Sequence, residues 1–288
     1  MDKTTLMATI KNSGGAEQPD GDVDGLLEKL AYLEKTGRYG RLMANIASTN
    51  DKSNFLASVL EATFAFQFES AALPLEYEVK QDDDKSSSID FLRRSEKGAL
   101  IYFEARLLQQ DDDTTKSIKD QLEKSSFYQV AMDGQDEHDA IIRLQSVIIS
   151  KVQKRDGTPI KFLRLEPDIV NLVVVDVSDL ILGMFDVADC LLATHGDPGV
   201  KVEHRRGIFG LFQDPLPEYP EQIRALAKTF DHIRSTLSGV LFLFRCRGSS
   251  VLDYRVEQYL MWNPILMDQD RAKAICAEIS AGVPIKSS

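Results

Sequence analysis

Apolar residues recur along this chain with two periods, and the switch between them divides it. Leu26, Leu27, Leu30 and Leu33 fall at helical spacing and predict a short amphipathic helix over 24–35. From 53 to 69 apolar side chains leave almost no polar face, and Glu61 is the one charge before the last residue of the run. A helix that is apolar nearly all round is a buried one, with Ser53 or Asn54 available as its N-cap. The period then drops to two, predicting strands over 75–80, 87–93 and 99–107. Ser95-Glu96-Lys97-Gly98 joins the last two as a hairpin connection.

Helical patterns follow over 115–132 and 137–154, and Asp156-Gly157 breaks the chain. A short strand is expected at 162–165. The β-branched run 172–177 reads as a strand buried on both faces. A helix over 187–193 ends near Gly196, and Pro215, Pro217 and Pro220 mark a loop before a helix over 221–237. A late hairpin, 239–246 with 253–261, precedes a final helix over 269–279. The polar segment 1–22 reads as a flexible tail and 23–50 as a helical extension. The main domain is 51–265, with a C-terminal helix and tail over 266–288. This order predicts an α/β fold, a mixed central β-sheet flanked by helices.

A hydrophobic fraction of 43% supplies a sizeable core. No apolar run is long enough for a transmembrane helix, so no membrane partner is expected. The N-terminus lacks the basic-then-apolar pattern of a secretory signal. Cys190, Cys246 and Cys276 are odd in number and far apart, which reads as reduced thiols of a cytoplasmic protein. The net charge of -11 argues against a surface built for nonspecific nucleic-acid binding. Bound cations or a locally basic cleft can still offset phosphate charge.

Three carboxylates occupy positions where apolar side chains are expected: Glu61, Asp90 and Glu104. Alternation along 99–107 puts Leu100, Tyr102, Glu104 and Arg106 on one face. An antiparallel hairpin brings Asp90 beside Glu104 and Arg106. Carboxylates so placed repel unless a cation or a shared proton joins them. Magnesium takes one or two carboxylates plus water and substrate phosphate, which points to a Mg2+ (or Mn2+) site.

A helix carrying Glu61, a strand, the Ser88-Ile89-Asp90 strand and the Glu104-Ala105-Arg106 strand together resemble the core of the PD-(D/E)XK nuclease superfamily, the restriction-endonuclease-like fold. The resemblance covers about 60 residues. It implies a metal-dependent nuclease hydrolysing phosphodiester bonds in nucleic acid, DNA ahead of RNA. Asp90 and Glu104 would hold the metal, Glu61 would assist as auxiliary ligand or orienting group, and Arg106 would contact phosphate or water. Homodimers or protein partners are common for such folds. Ile89 replaces the family's proline and Arg106 its lysine. Arginine stays charged and cannot shed a proton as lysine can. Lys80 and Lys116 are the candidate substitutes, and Gln109 and Gln110 lie just beyond the strand.

Two other readings stand beside this one. In the first the fold no longer cuts and serves as a binding or assembly module. In the second the chain is an acidic protein-interaction domain, with Asp90 and Glu104 merely facing solvent and Glu104–Arg106 a weak surface pair. Asp176, Asp179, Asp186 and Asp189 form a second acidic group, in which Asp179 is read as a helix cap. His195 and His204 flank a turn but lack a third zinc ligand. The acidic runs 82–84 and 111–113 read as solvated turns. No P-loop, Rossmann fingerprint, Gly-x-Ser-x-Gly or Cys-x-x-Cys is present.

Overall fold

Seven strands form one mixed sheet in the computed structural model, which describes residues 1–13, 20–80, 88–109, 112–124, 134–162, 166–178, 185–196, 208–246, 252 and 255–287. Their order across the sheet is their order along the chain: β1 (Glu76–Val79), β2 (Ile89–Arg94), β3 (Leu100–Leu107), β4 (Ile169–Asp176), β5 (Gly239–Arg245), β6 (Val256–Trp262) and β7 (Ile285–Ser287). β1, β2 and β3 pair antiparallel, β3, β4 and β5 are mutually parallel, β6 runs against β5, and β7 runs parallel to β6. β4 is central and buried from Val170 to Asp176, which is why its sequence shows no alternation.

Helices cover both faces. α1 (Lys3–Asn12), α2 (Asp20–Thr36), α3 (Gly40–Ser48), α4 (Lys52–Ser70) and α10 (Gln269–Ile279) share one core with the sheet. The opposite core holds side chains of α6 (Gly134–Val152), α7 (Val187–His195), α8 (Glu221–Thr229) and α9 (Asp231–Thr236). α5 (Asp112–Leu122) precedes α6 in the crossover from β3 to β4. α4 is sandwiched: Phe64 and Phe68 pack on Phe91 and Phe103 of the sheet, and α2 and α3 cover its other side. That sandwich accounts for its lack of a polar face.

The N-cap of α4 is Asp51, whose Oδ1 accepts the Asn54 N–H at 2.9 Å, rather than Ser53 or Asn54. Replacing Asp51 by Ala is expected to destabilise the fold by about 1 kcal/mol in denaturant titration, the usual effect of losing a cap. At the other end of α4, buried Glu69 accepts the Tyr39 hydroxyl at 2.6 Å, the Leu75 N–H at 3.1 Å and the Arg38 guanidinium. This knot fixes where the chain leaves α4 and enters β1.

Other expectations are corrected as well. Residues 1–22 are not a tail throughout: α1 is capped by Asp2, and Leu6, Thr9 and Ile10 are buried on one side of an otherwise polar helix. The helix expected over 221–237 breaks at Phe230, whose ring turns inward against Phe209. Asp112 and Asp113 begin α5 rather than forming a turn. The short strand expected at 162–165 is not seen at Phe162, and 163–165 lie outside the described residues. β7, only three residues long, gave no periodic signal. No described helix is long and apolar enough to cross a membrane.

Candidate functional site

The β2–β3 ladder runs from Arg94 opposite Leu100 to Phe91 opposite Phe103, and the next positions in that register are Asp90 and Glu104. There the ladder stops. Asp90 Oδ2 accepts the Ala105 N–H at 2.7 Å, occupying the place of a strand carbonyl. Glu104 lies on the β3 face shared with Tyr102 and is 0% exposed. Its Oε1 accepts two ammonium groups, Lys151 Nζ and Lys161 Nζ, each at 2.6 Å. Its Oε2 is buried with no hydrogen-bond partner. Such an orphan is costly unless something completes it.

The two lysines arrive from different places. Lys151 is in the last turn of α6, where a cation suits the helix dipole. Lys161 follows a turn in which the N–H groups of Ile160 and Lys161 both donate to the Val152 carbonyl. The next residue, buried Phe162, has φ 61°. On the other side, Glu61 of α4 accepts the Tyr77 hydroxyl of β1 at 2.7 Å, and Glu78, next in that strand, has φ 52° and pairs with Arg41 at 2.5 Å. Of the four non-glycine residues described at positive φ, Glu78 follows Tyr77 and Phe162 follows Lys161 along the chain, and such bulky residues are strained there.

The carboxylates feel one another. Asp90 is pushed up to about 7, first by burial, then by the charges of Glu104 and Glu61, against the opposing pull of Lys151 and Lys161. Glu61 is also raised, by burial first, while the Tyr77 hydroxyl and Lys151 oppose the shift. Burial likewise raises the Tyr77 hydroxyl. A carboxyl that binds its proton more tightly folded than unfolded loses stability as pH climbs from its unfolded value, here 3.8, through its folded one. Asp90→Asn should therefore leave stability near wild type at pH 4 and raise it at pH 8, by on the order of 2 kcal/mol after discounting for partial solvation. Thermal melts at both pH values check this; an equal difference at the two would contradict it.

Of the residues singled out in the sequence, Glu61, Asp90 and Glu104 converge, and Arg106 does not join them. Arg106 is exposed and makes no hydrogen bond or ion pair among the described residues, so the expected contact with Glu104 is corrected. Two ammonium groups already hold Glu104, and like charge keeps a guanidinium away. Lys80 and Lys116 are exposed and form no ion pair with the pocket. Gln109 is half-buried, and Gln110 lies outside the described residues. Lys151, Lys161 and Tyr77 were not foreseen as site residues. Only Lys151 left a trace, as a cation flanking the buried stripe Ile141, Leu144, Ile148 and Val152.

The described members of the second acidic group, Asp176, Asp186 and Asp189, hold local structure. Asp176 is fully buried, accepts the Ser178 N–H at 2.8 Å and lies 3.8 Å from Arg245. Asp186 caps α7 in a capping box with Asp189. Both ring nitrogens of His195 are engaged, by Trp262 O and Thr194 Oγ1, each at 2.9 Å. Asp179, His204 and the run 82–84 lie outside the described residues. The three cysteines are free thiols.

Among the described residues, no group of three or more His, Cys, Asp and Glu side chains is arranged to hold a metal ion. A three-ligand cage including Glu61 therefore does not fit, and Glu61 is held by Tyr77 instead. A magnesium ion asks less, needing one or two carboxylates with water and phosphate. Asp90 and the unpartnered Glu104 Oε2 are donors of the kind that ion takes. Comparison with protein families, curated proteins and solved structures found no match to this chain.

Proposed function

We propose that this pocket is the centre of a metal-dependent nuclease, hydrolysing phosphodiester bonds in nucleic acid, DNA ahead of RNA, in the cytoplasm. The observation that carries the reading is Glu104: a fully buried carboxylate, next to Asp90 in register, with one oxygen held by two lysines and the other held by nothing. Most buried polar side-chain atoms have a partner, and this oxygen has none. Asp90 and Glu104 would hold Mg2+ or Mn2+, which when bound would polarise the scissile phosphate and acidify a water. Lys151 and Lys161 offer positive charge to phosphate oxygens. Glu61, with its raised proton affinity, is suited to take a proton from the attacking water at its carboxylate oxygen not bonded to Tyr77. Arg106, exposed on the same strand, meets substrate backbone outside the pocket.

The test is cleavage of single- and double-stranded DNA and RNA with magnesium or manganese against chelator, with Glu104→Gln and Arg106→Ala as comparisons. Metal-dependent products, lost in Glu104→Gln and retained within a few-fold in Arg106→Ala, are expected. Absence of metal-dependent product on every substrate would contradict the reading. It would favour a binding module that no longer cuts, the alternative suggested by the neutralisation of Glu104 by lysine.

A further inference from the structure

We propose that Lys151 and Lys161 form a lock on Glu104 that a phosphate group opens, so that the cation and the phosphate bind to this pocket together rather than independently. The inference rests on the nuclease reading above and adds to it an order of events at the same site.

Four observations support the lock. Both ammonium groups converge on a single oxygen, Glu104 Oε1, at 2.6 Å each. The remaining oxygen, Oε2, is sealed from solvent and unpartnered, so a cation does not reach it while both lysines stay in place. The lysine side chains retain 21% and 16% exposure while Glu104 has none. They therefore stand between the carboxylate and the solvent. Finally, the loop bearing Lys161 is held by paired N–H bonds to Val152 O and by the left-handed Phe162. A strained backbone that persists is one the surrounding structure over-determines.

Two ammonium groups on one carboxylate oxygen repel each other, while Asp90 and Glu61 also draw on them. A phosphate dianion or diester accommodates two ammonium groups better than a single buried oxygen does, because it presents several acceptor oxygens on the solvent side. Drawing the ammonium groups toward phosphate leaves Glu104 a bare carboxylate beside Asp90, which is the condition for binding a divalent cation. By linkage the effect is reciprocal: whatever factor the anion gives to cation affinity, the cation gives to anion affinity. The same lock would keep free protein from holding metal in the absence of a substrate.

The experiment measures manganese binding to the protein by loss of the free-ion electron paramagnetic signal. Sodium sulfate, a tetrahedral dianion that leaves manganese in solution, is compared with sodium chloride at matched ionic strength. Wild type and the single variants Lys151→Met and Lys161→Met are used, since each single variant leaves one ammonium to neutralise Glu104 and spares the fold. The lock predicts that sulfate raises wild-type manganese affinity by about fivefold or more, and that each variant binds manganese about tenfold more tightly than wild type in chloride. The response to sulfate shrinks in both variants. Wild type binding manganese as tightly as the variants, with no response to sulfate, would overturn the lock and leave the nuclease reading standing. No manganese bound by any of the three proteins, in either salt, would overturn both. Circular dichroism confirms that each variant is folded before it is measured.

Discussion

Glu104→Gln is expected to abolish the proposed metal-dependent cleavage, by about 10²–10³-fold or more, while the protein still folds. The substitution keeps the shape of the side chain and removes its charge. The two ammonium groups then face a neutral amide, but each retains a path to solvent, so both can turn outward. The stability loss should accordingly stay near 1–3 kcal/mol, the range for a broken hydrogen bond to a charged group. The converse change is harsher. Removing both lysines together leaves a carboxylate with 0% exposure and no counter-charge, and stranding one member of a buried ion pair costs about 3–5 kcal/mol. Urea titration of Glu104→Gln beside the double Lys151→Met/Lys161→Met variant checks this asymmetry. Equal losses would mean that Glu104 is not sealed as described.

The second large effect is structural. Glu69→Ala is expected to destabilise the fold by about 3 kcal/mol or more. Three donors converge on this carboxylate, and only one has an easy alternative. Arg38 is 39% exposed and turns to water. The Tyr39 hydroxyl, on a residue with 0% exposure, and the Leu75 N–H keep no comparable acceptor. Tyr39 retains only a long 3.4 Å contact with Leu75 O. Tyr39→Phe removes one donor together with its need for a partner, so its loss should be nearer 1 kcal/mol. Because the knot sets the entry to β1, Glu69→Ala should also loosen Tyr77 and its hold on Glu61. Denaturant midpoints for the two variants test the ranking. A Glu69→Ala change under about 0.5 kcal/mol would show the knot to be incidental.

Much of the fold was legible because each element carried its own period. The strands over 75–80, 87–93 and 99–107, the buried β4 run and the final helix all emerged near their positions, and the α/β class followed from their order. What the pattern did not carry was context. α1 has too few apolar residues to signal a helix, and becomes one because Leu6 and Ile10 find a place in the core shared with α4. Phe230 fits a helical stripe, yet its burial bends the chain there into two helices.

The site was half legible for a similar reason. Glu61, Asp90 and Glu104 stood out because a carboxylate on an apolar face is conspicuous in one dimension. A lysine beside an apolar stripe is not, since most lysines flank one. Lys151 and Lys161 lie 47 and 57 residues from the carboxylate they hold. Only the parallel crossover from β3 through α6 to β4 brings that region back to Glu104. Arg106 was assigned to the pocket because strand alternation puts it on the same face. The period fixes the face but not what else has already filled the space above it.

The proposed function turns on Asp90 and Glu104 accepting one divalent cation between them. The most direct measurement is an anomalous difference map from crystals soaked in manganese together with sulfate. A peak within bonding reach of both Asp90 and Glu104, with Lys151 and Lys161 moved off Glu104 Oε1, is the predicted result. Both lysines still on Glu104 and no manganese between the two carboxylates would contradict it.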